Sequence, residues 1–155
     1  MRKLLFLTLV LPTFAFADSD AVRACTQLVT DYAFYRDRPD ADGVANLFAE
    51  DATFTLMGTS FSGREAIRKR VEGGVGGPVF RHMMSTINIE VDGSGDSARG
   101  ISYVTVYQGS PDPTPQPMTA PMAIGEYHDK FVKTATGWKI AERNFVPVFL
   151  TPPSN

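Results

Sequence analysis

From Ala21 to Tyr35 the apolar residues Cys25, Leu28, Val29 and Tyr32 recur at spacings of three and four, with no Gly or Pro among them. That period predicts a helix with one buried face. Arg36-Asp37-Arg38-Pro39 follows, and a residue before proline is pushed out of the helical region, so the helix is expected to break after Asp37. Asp40 can cap a short second helix whose buried stripe is Val44, Leu47 and Phe48, closed by Glu50-Asp51, after which Ala52 to Met57 reads as a strand. Ser62-Gly63-Arg64-Glu65 has the S-x-x-E form of a capping box, and Ile67 and Val71 continue at helical spacing until Gly73-Gly74 stops them. The Gly73–Gly77 run has no Lys-Ser or Lys-Thr after it, so it reads as a connector rather than a phosphate-binding loop.

Beyond Pro78 the pattern changes to β-branched and aromatic residues in four long segments: Phe80–Val91, Ala98–Gln108, Met122–Val132 and Trp138–Phe149. Asp92-Gly93-Ser94-Gly95-Asp96 and Thr134-Ala135-Thr136-Gly137 are turn chemistry, which predicts antiparallel neighbours in a meander. Pro111, Pro113, Pro115, Pro117 and Pro121 stiffen the connection between the second and third of these strands, a loop placed to overhang a pocket. Helices first and strands afterwards is the order of an α+β fold, with helices over the concave face of a curved, mainly antiparallel sheet and a blind apolar cavity between them.

The amino-terminus adds a compartment. Met1-Arg2-Lys3 is basic, Leu4–Phe16 is largely apolar, and Ala15-Phe16-Ala17 fits a small-x-small cleavage site before the acidic Asp18-Ser19-Asp20. Residues 1–17 therefore read as a secretory signal peptide cleaved after Ala17, and residues 18–155 as one domain that is periplasmic or secreted, with no membrane residence after cleavage. Lys and Arg number 15 against 17 for Asp and Glu, so no positive field exists to recruit nucleic acid. One cysteine, Cys25, excludes an internal disulfide and thiolate metal clusters. The adjacent His128 and Asp129 point to opposite faces of a strand and cannot readily share a metal, so no metal and no cofactor is expected.

Five segments, in order and in register, resemble the SnoaL-like branch of the nuclear transport factor 2-like superfamily: Tyr32–Asp37, Leu47–Ala52, Gly63–Ile67, Arg81–Ser85 and Gly137–Arg143. The resemblance implies a cone-shaped α+β barrel, often a homodimer through the outer sheet face, with a pocket for a small apolar organic ligand or substrate. It does not imply one activity. Within the superfamily the chain most resembles the scytalone dehydratase and lindane dehydrochlorinase type, in which a His paired with an Asp removes a proton during elimination. His82 and Asp37 match those positions, Arg143 matches a pocket arginine, and Tyr32 stands where the type has lysine or tyrosine. Leu56 and Ile124 stand where the dehydratase has a second tyrosine and a second histidine, so its full relay is not carried over.

Chemistry supports that assignment of roles. Histidine works as a base near neutral pH, and a carboxylate on its other ring nitrogen fixes the tautomer. Arg143 is read either as an oxyanion or carboxylate holder in the pocket or as a surface ion-pair partner of Glu142, Glu126 or Asp129. Strand alternation from Trp138 and Ile140 turns Arg143 to the other face unless a bulge shifts the phase. The same alternation sets His82 and Met84 against Ile87, Ile89 and Val91, a two-faced pattern that fits a homodimer. Phe54, Leu56, Met84 and Tyr103 are the further candidates for the pocket wall, with Tyr127 a third phenol beside Tyr32 and Tyr103. The expected function is an exported, cofactor-independent lyase or isomerase of a small apolar carbonyl compound; the alternative is a non-catalytic dimeric module binding a lipophilic molecule. A dioxygenase small subunit is a weaker third.

Overall fold

The computed structural model describes residues 14–112, 115 and 117–152, so residues 1–13 of the expected signal peptide lie outside the described residues. Helix α1 (Phe14–Arg36) buries the stripe read from the sequence, Cys25, Leu28, Val29 and Tyr32. It ends where the proline demanded: the Asp37 N–H still donates to the Ala33 carbonyl at 3.0 Å, and the Arg38 and Asp40 N–H groups both turn back to the Tyr35 carbonyl. Asp40 caps α2 (Ala41–Asn46), its carboxylate accepting from the Gly43 N–H at 2.8 Å.

Phe48 is not on that helix, contrary to the periodicity. Leu47 is its C-cap and Phe48 opens β1 (Phe48–Leu56), paired with Ile140, while the Ile140 N–H donates to the Leu47 carbonyl at 2.8 Å. Six residues make under two turns, and sheet pairing outweighs that much helix. A short strand without a sequence signal follows, β2 (Thr59–Ser62), hairpinned to β1 through Met57 and Gly58. Both turn residues have positive φ, 51° and 82°, the conformation that two-residue hairpins favour. Because β2 takes Ser62, the expected capping box does not form. Helix α3 (Arg64–Glu72) starts after Gly63 with no side-chain cap, and Glu65 pairs with Arg68 at 2.9 Å instead.

The four long strands are β3 (Val79–Val91), β4 (Ser97–Gly109), β5 (Ala123–Thr134) and β6 (Gly137–Leu150). They form the expected antiparallel meander, and β1 adds parallel to β6, giving a six-stranded mixed sheet in the order β2-β1-β6-β5-β4-β3. The helices cover its inner face, so the fold is α+β.

Two bulges settle the questions of phase. In β6 the register steps from Lys130↔Glu142 to Phe131↔Ile140, leaving Ala141 as the extra residue. Ile140 and Arg143 are therefore both turned inward and both fully buried. In β3 the register breaks between Ser85 and Asn88, with Thr86 at φ 47°. His82 and Met84 thus share the inner side with Ile87, Ile89 and Val91, and the last four of these pack on the core. The two-faced pattern that argued for a dimer is a single face with a phase shift.

Candidate functional site

Between the end of α1, the hairpin β1–β2, α3 and the near ends of β3 to β6 lies a hollow of about 370 Å³. Apolar side chains make most of its wall, among them Phe54, Leu56, Val71, Phe80, Val106 and Phe145, while Tyr32, Tyr127, His82, Arg36 and Arg70 supply polar groups. A larger concavity on the outer sheet face is lined by charges that pair with one another, Arg99 with Glu90 and Lys130 with Glu142.

Asp37 and His82 meet at the wall. Packing of α1 along β3 delivers the residue just past the helix end to the strand position beside it. The Asp37 carboxylate accepts twice: Oδ1 lies 2.6 Å from His82 Nδ1, and Oδ2 accepts from the His82 backbone N–H at 2.9 Å. Both side chains are buried, at 7% and 8% exposure. With Nδ1 held by the carboxylate, the ring proton is fixed there, and Nε2, which has no partner among the described residues, can accept a proton from a molecule in the hollow.

Tyr32, buried on α1, stands edge-on to His82 with ring centroids 6.1 Å apart and edge-on to Tyr127 at 5.6 Å. Arg143 lies behind these two phenols, its guanidinium 4.4 Å from each ring centroid. It is held by a two-pronged bond to Asp129, Nε to Oδ1 at 2.8 Å and Nη2 to Oδ2 at 2.7 Å. Asp129 is the partner anticipated for a surface pair, but this pair is buried, at 0% and 1% side-chain exposure. Burial would lower the Arg143 pKa, yet the charge and hydrogen bonds of Asp129 outweigh it and hold the group above its ordinary value. Burial, then the neighbouring Tyr32, pushes the Tyr127 phenol well up, with Arg143 pulling the other way. Arg143 does not line the hollow; it lies behind the two tyrosines that do.

Of the residues anticipated for the wall, Phe54 and Leu56 line it with Tyr32 and His82. Met84 does not: two residues along from His82 on the same side, it packs into the core. Tyr103 does not either, because it alternates with the buried Ser102 and Val104 and so stands on the outer face, 46% exposed. His128 is also on the outer face, bonded to Glu126 at 2.7 Å, while Asp129 turns inward. Arg36 and Arg70 were not anticipated. Arg36 had a signal, since it continues the stripe of Leu28 and Tyr32 by one further turn, a charge on a buried face. Arg70 had none, lying beside the stripe of Ile67 and Val71.

Cys25 is fully buried, and desolvation followed by the charge of Asp129 pushes its thiol up to about 12 from 9.0. Such a thiol favours folding below pH 9.0 and loses that contribution as pH rises toward 12. In the native protein at pH 8 it should react with iodoacetamide about 10³-fold more slowly than in denaturant, read by intact mass. Equal rates would contradict the burial.

A bent mixed sheet, roofed by helices and enclosing an apolar hollow with a His–Asp pair on its wall, defines a pocket protein of the nuclear transport factor 2-like, cystatin-like fold. The chain belongs to the SnoaL-like domain family, whose sequence model matches residues 17–144. A protein of unknown function from Mycobacterium tuberculosis is similar to it over 85% of this chain and 79% of its own, with 26% identity and a TM-score of 0.75. A scytalone-dehydratase-like protein from Novosphingobium aromaticivorans is similar over 91% and 93%, with 24% identity and a TM-score of 0.76. A hexachlorocyclohexane dehydrochlorinase from Novosphingobium barchaimii is similar over 90% and 94%, with 19% identity and a TM-score of 0.74. No curated protein matches the chain.

Proposed function

We propose that the protein is a cofactor-independent lyase or isomerase that removes a proton from carbon next to a carbonyl group in a small, largely apolar substrate. The observation that carries this reading is the 2.6 Å contact of His82 Nδ1 with Asp37 at the wall of an otherwise apolar hollow, with Nε2 unpartnered. In the proposed step the proton passes from carbon to His82 Nε2, and the C–H electron pair moves toward the carbonyl oxygen as an enolate. Tyr32 or Tyr127 donates to that oxygen, and the fixed charge of Arg143 behind both rings favours the donation. Collapse of the enolate then either expels a leaving group with its bonding pair, forming a C=C bond while the His82 proton passes to the departing group, or returns the proton from His82 to another carbon. The apolar wall excludes water from the carbanion.

Export belongs to the same proposal, resting on the signal-peptide pattern of residues 1–17. So does a homodimer through the outer sheet face, which exposes Met83, Ile101 and Tyr103.

Proton abstraction leaves a trace even when the leaving group is unknown. A panel of enolisable ketones and esters incubated in D₂O should include members that exchange a carbon-bound proton for deuterium in the presence of the protein, followed by NMR. His82→Ala should abolish that exchange. Specific binding without exchange by any member would favour the non-catalytic module.

A further inference from the structure

The seven other described arginines each hold a carboxylate or a backbone carbonyl: Arg23, Arg64, Arg68, Arg99 and Arg143 an acidic side chain, Arg38 and Arg81 a carbonyl oxygen. Among the described residues Arg36 and Arg70 hold neither, and both line the hollow. Arg36 is 8% exposed, and its guanidinium rests on the Phe80 ring at 4.7 Å, two residues from His82 on the same strand face. Arg70 lies over Phe61 at 5.8 Å. Among the described residues, no Asp or Glu lines the hollow. Of the two buried carboxylates beside it, Asp37 has both oxygens taken by His82 and Asp129 has both taken by Arg143.

Burying most of a cationic side chain with no anion beside it is costly, because the hydration it loses is not offset by a partner. Here the missing partner has a place to sit. We infer that the hollow takes an organic carboxylate, a molecule with an apolar body whose anionic group is held by Arg36 and Arg70. The inference rests on reading the hollow as the substrate site, and it narrows the substrate to an acid. The planar fork of a guanidinium matches a carboxylate with two parallel hydrogen bonds. Stacking on Phe80 fixes the plane of the Arg36 fork, while Phe54, Leu56 and Val106 face the hydrocarbon part. Held in this way, the acid lies with its carbon skeleton toward His82 and its charge away from the carbon that loses a proton.

The test is binding, independent of turnover. The probes are 3-phenylpropanoate and its neutral counterpart 3-phenylpropanamide, titrated by calorimetry at pH 7 into the wild-type protein. The acid should bind about 10- to 100-fold more tightly than the amide, the range of a charge-assisted hydrogen-bond pair. Arg36→Gln should remove most of that preference while leaving amide binding in place, and Arg36→Lys should keep part of it, which separates loss of charge from loss of fold. Arg70→Gln should reduce it as well. Equal affinity of acid and amide, no binding of the acid at millimolar concentration, or an intact preference in the Arg36→Gln/Arg70→Gln double variant would overturn the inference. Tighter binding of phenyl phosphate than of the acid would overturn the carboxylate. His82→Ala should retain the acid preference, so a protein that prefers acids but exchanges no proton keeps this inference and loses the dyad, and the converse result separates them the other way.

Discussion

Once a substrate is in hand, His82→Ala should lower kcat/KM by about 10²- to 10⁴-fold, the range that a positioned general base supplies. Asp37→Asn should cost nearly as much, and the reason lies in the count of acceptors. Both Asp37 oxygens accept from His82, one from the ring and one from the backbone N–H. Asparagine has one acceptor, so one of those two donors must face an NH₂ group. If the amide oxygen keeps the backbone N–H, the NH₂ donates to Nδ1 and drives the ring proton to Nε2, where it blocks proton abstraction. If the amide turns over, the backbone donor is left unsatisfied and the strand shifts. Either outcome lowers kcat, whereas loss of a merely structural contact would lower the melting temperature and leave the activity of the folded fraction alone. Full activity in His82→Ala would end the proposal.

What the sequence showed of this site follows from the range of each interaction. The α1 stripe and the break before Pro39 are local, and they placed Tyr32 and Asp37 correctly at the end of a buried helix face. The four long strands were legible because β-branched and aromatic residues fill them from end to end. What was not legible is phase. Alternation is a rule of period two, and a single extra residue at Ala141 or near Thr86 reverses it for everything downstream. Arg143 could not be placed without the first bulge, and the apparent second face of β3 vanished with the second. Tyr103 failed without any bulge in its strand, since an isolated Tyr among Ser, Val and Thr has no anchor for its face. The β1–β2 hairpin turns on Met57-Gly58 rather than Asn-Gly or Asp-Gly, so its turn carried little signal. The contact between Asp37 and His82, 45 positions apart, came from family resemblance, because no local rule reaches that far.

The buried Arg143–Asp129 pair should be the most sensitive point of the fold. Removing one partner leaves an uncompensated charge with no water to take its place, so Asp129→Ala and Arg143→Met should each lower stability by about 3–5 kcal/mol, a fall of roughly 10–17 °C in Tm. The two losses should not add. Replacing both with apolar residues of similar size, as in Asp129→Leu/Arg143→Met, removes the charge that each single variant strands and should recover most of the stability. Function should separate from stability in that double variant. The guanidinium lies 4.4 Å from the Tyr32 and Tyr127 ring centroids, and no neutral side chain supplies the field that favours donation by those phenols to a developing oxyanion. Arg143→Lys keeps a charge but has neither the flat face for stacking nor the fork for Asp129, so it should lose stability and activity together. Thermal melts of the four variants, with deuterium exchange on each at a temperature where all are folded, give the comparison. A double variant that is stable and fully active would show that Arg143 holds the sheet together and does nothing for the chemistry; single variants melting within a degree of wild type would show that the pair is not buried.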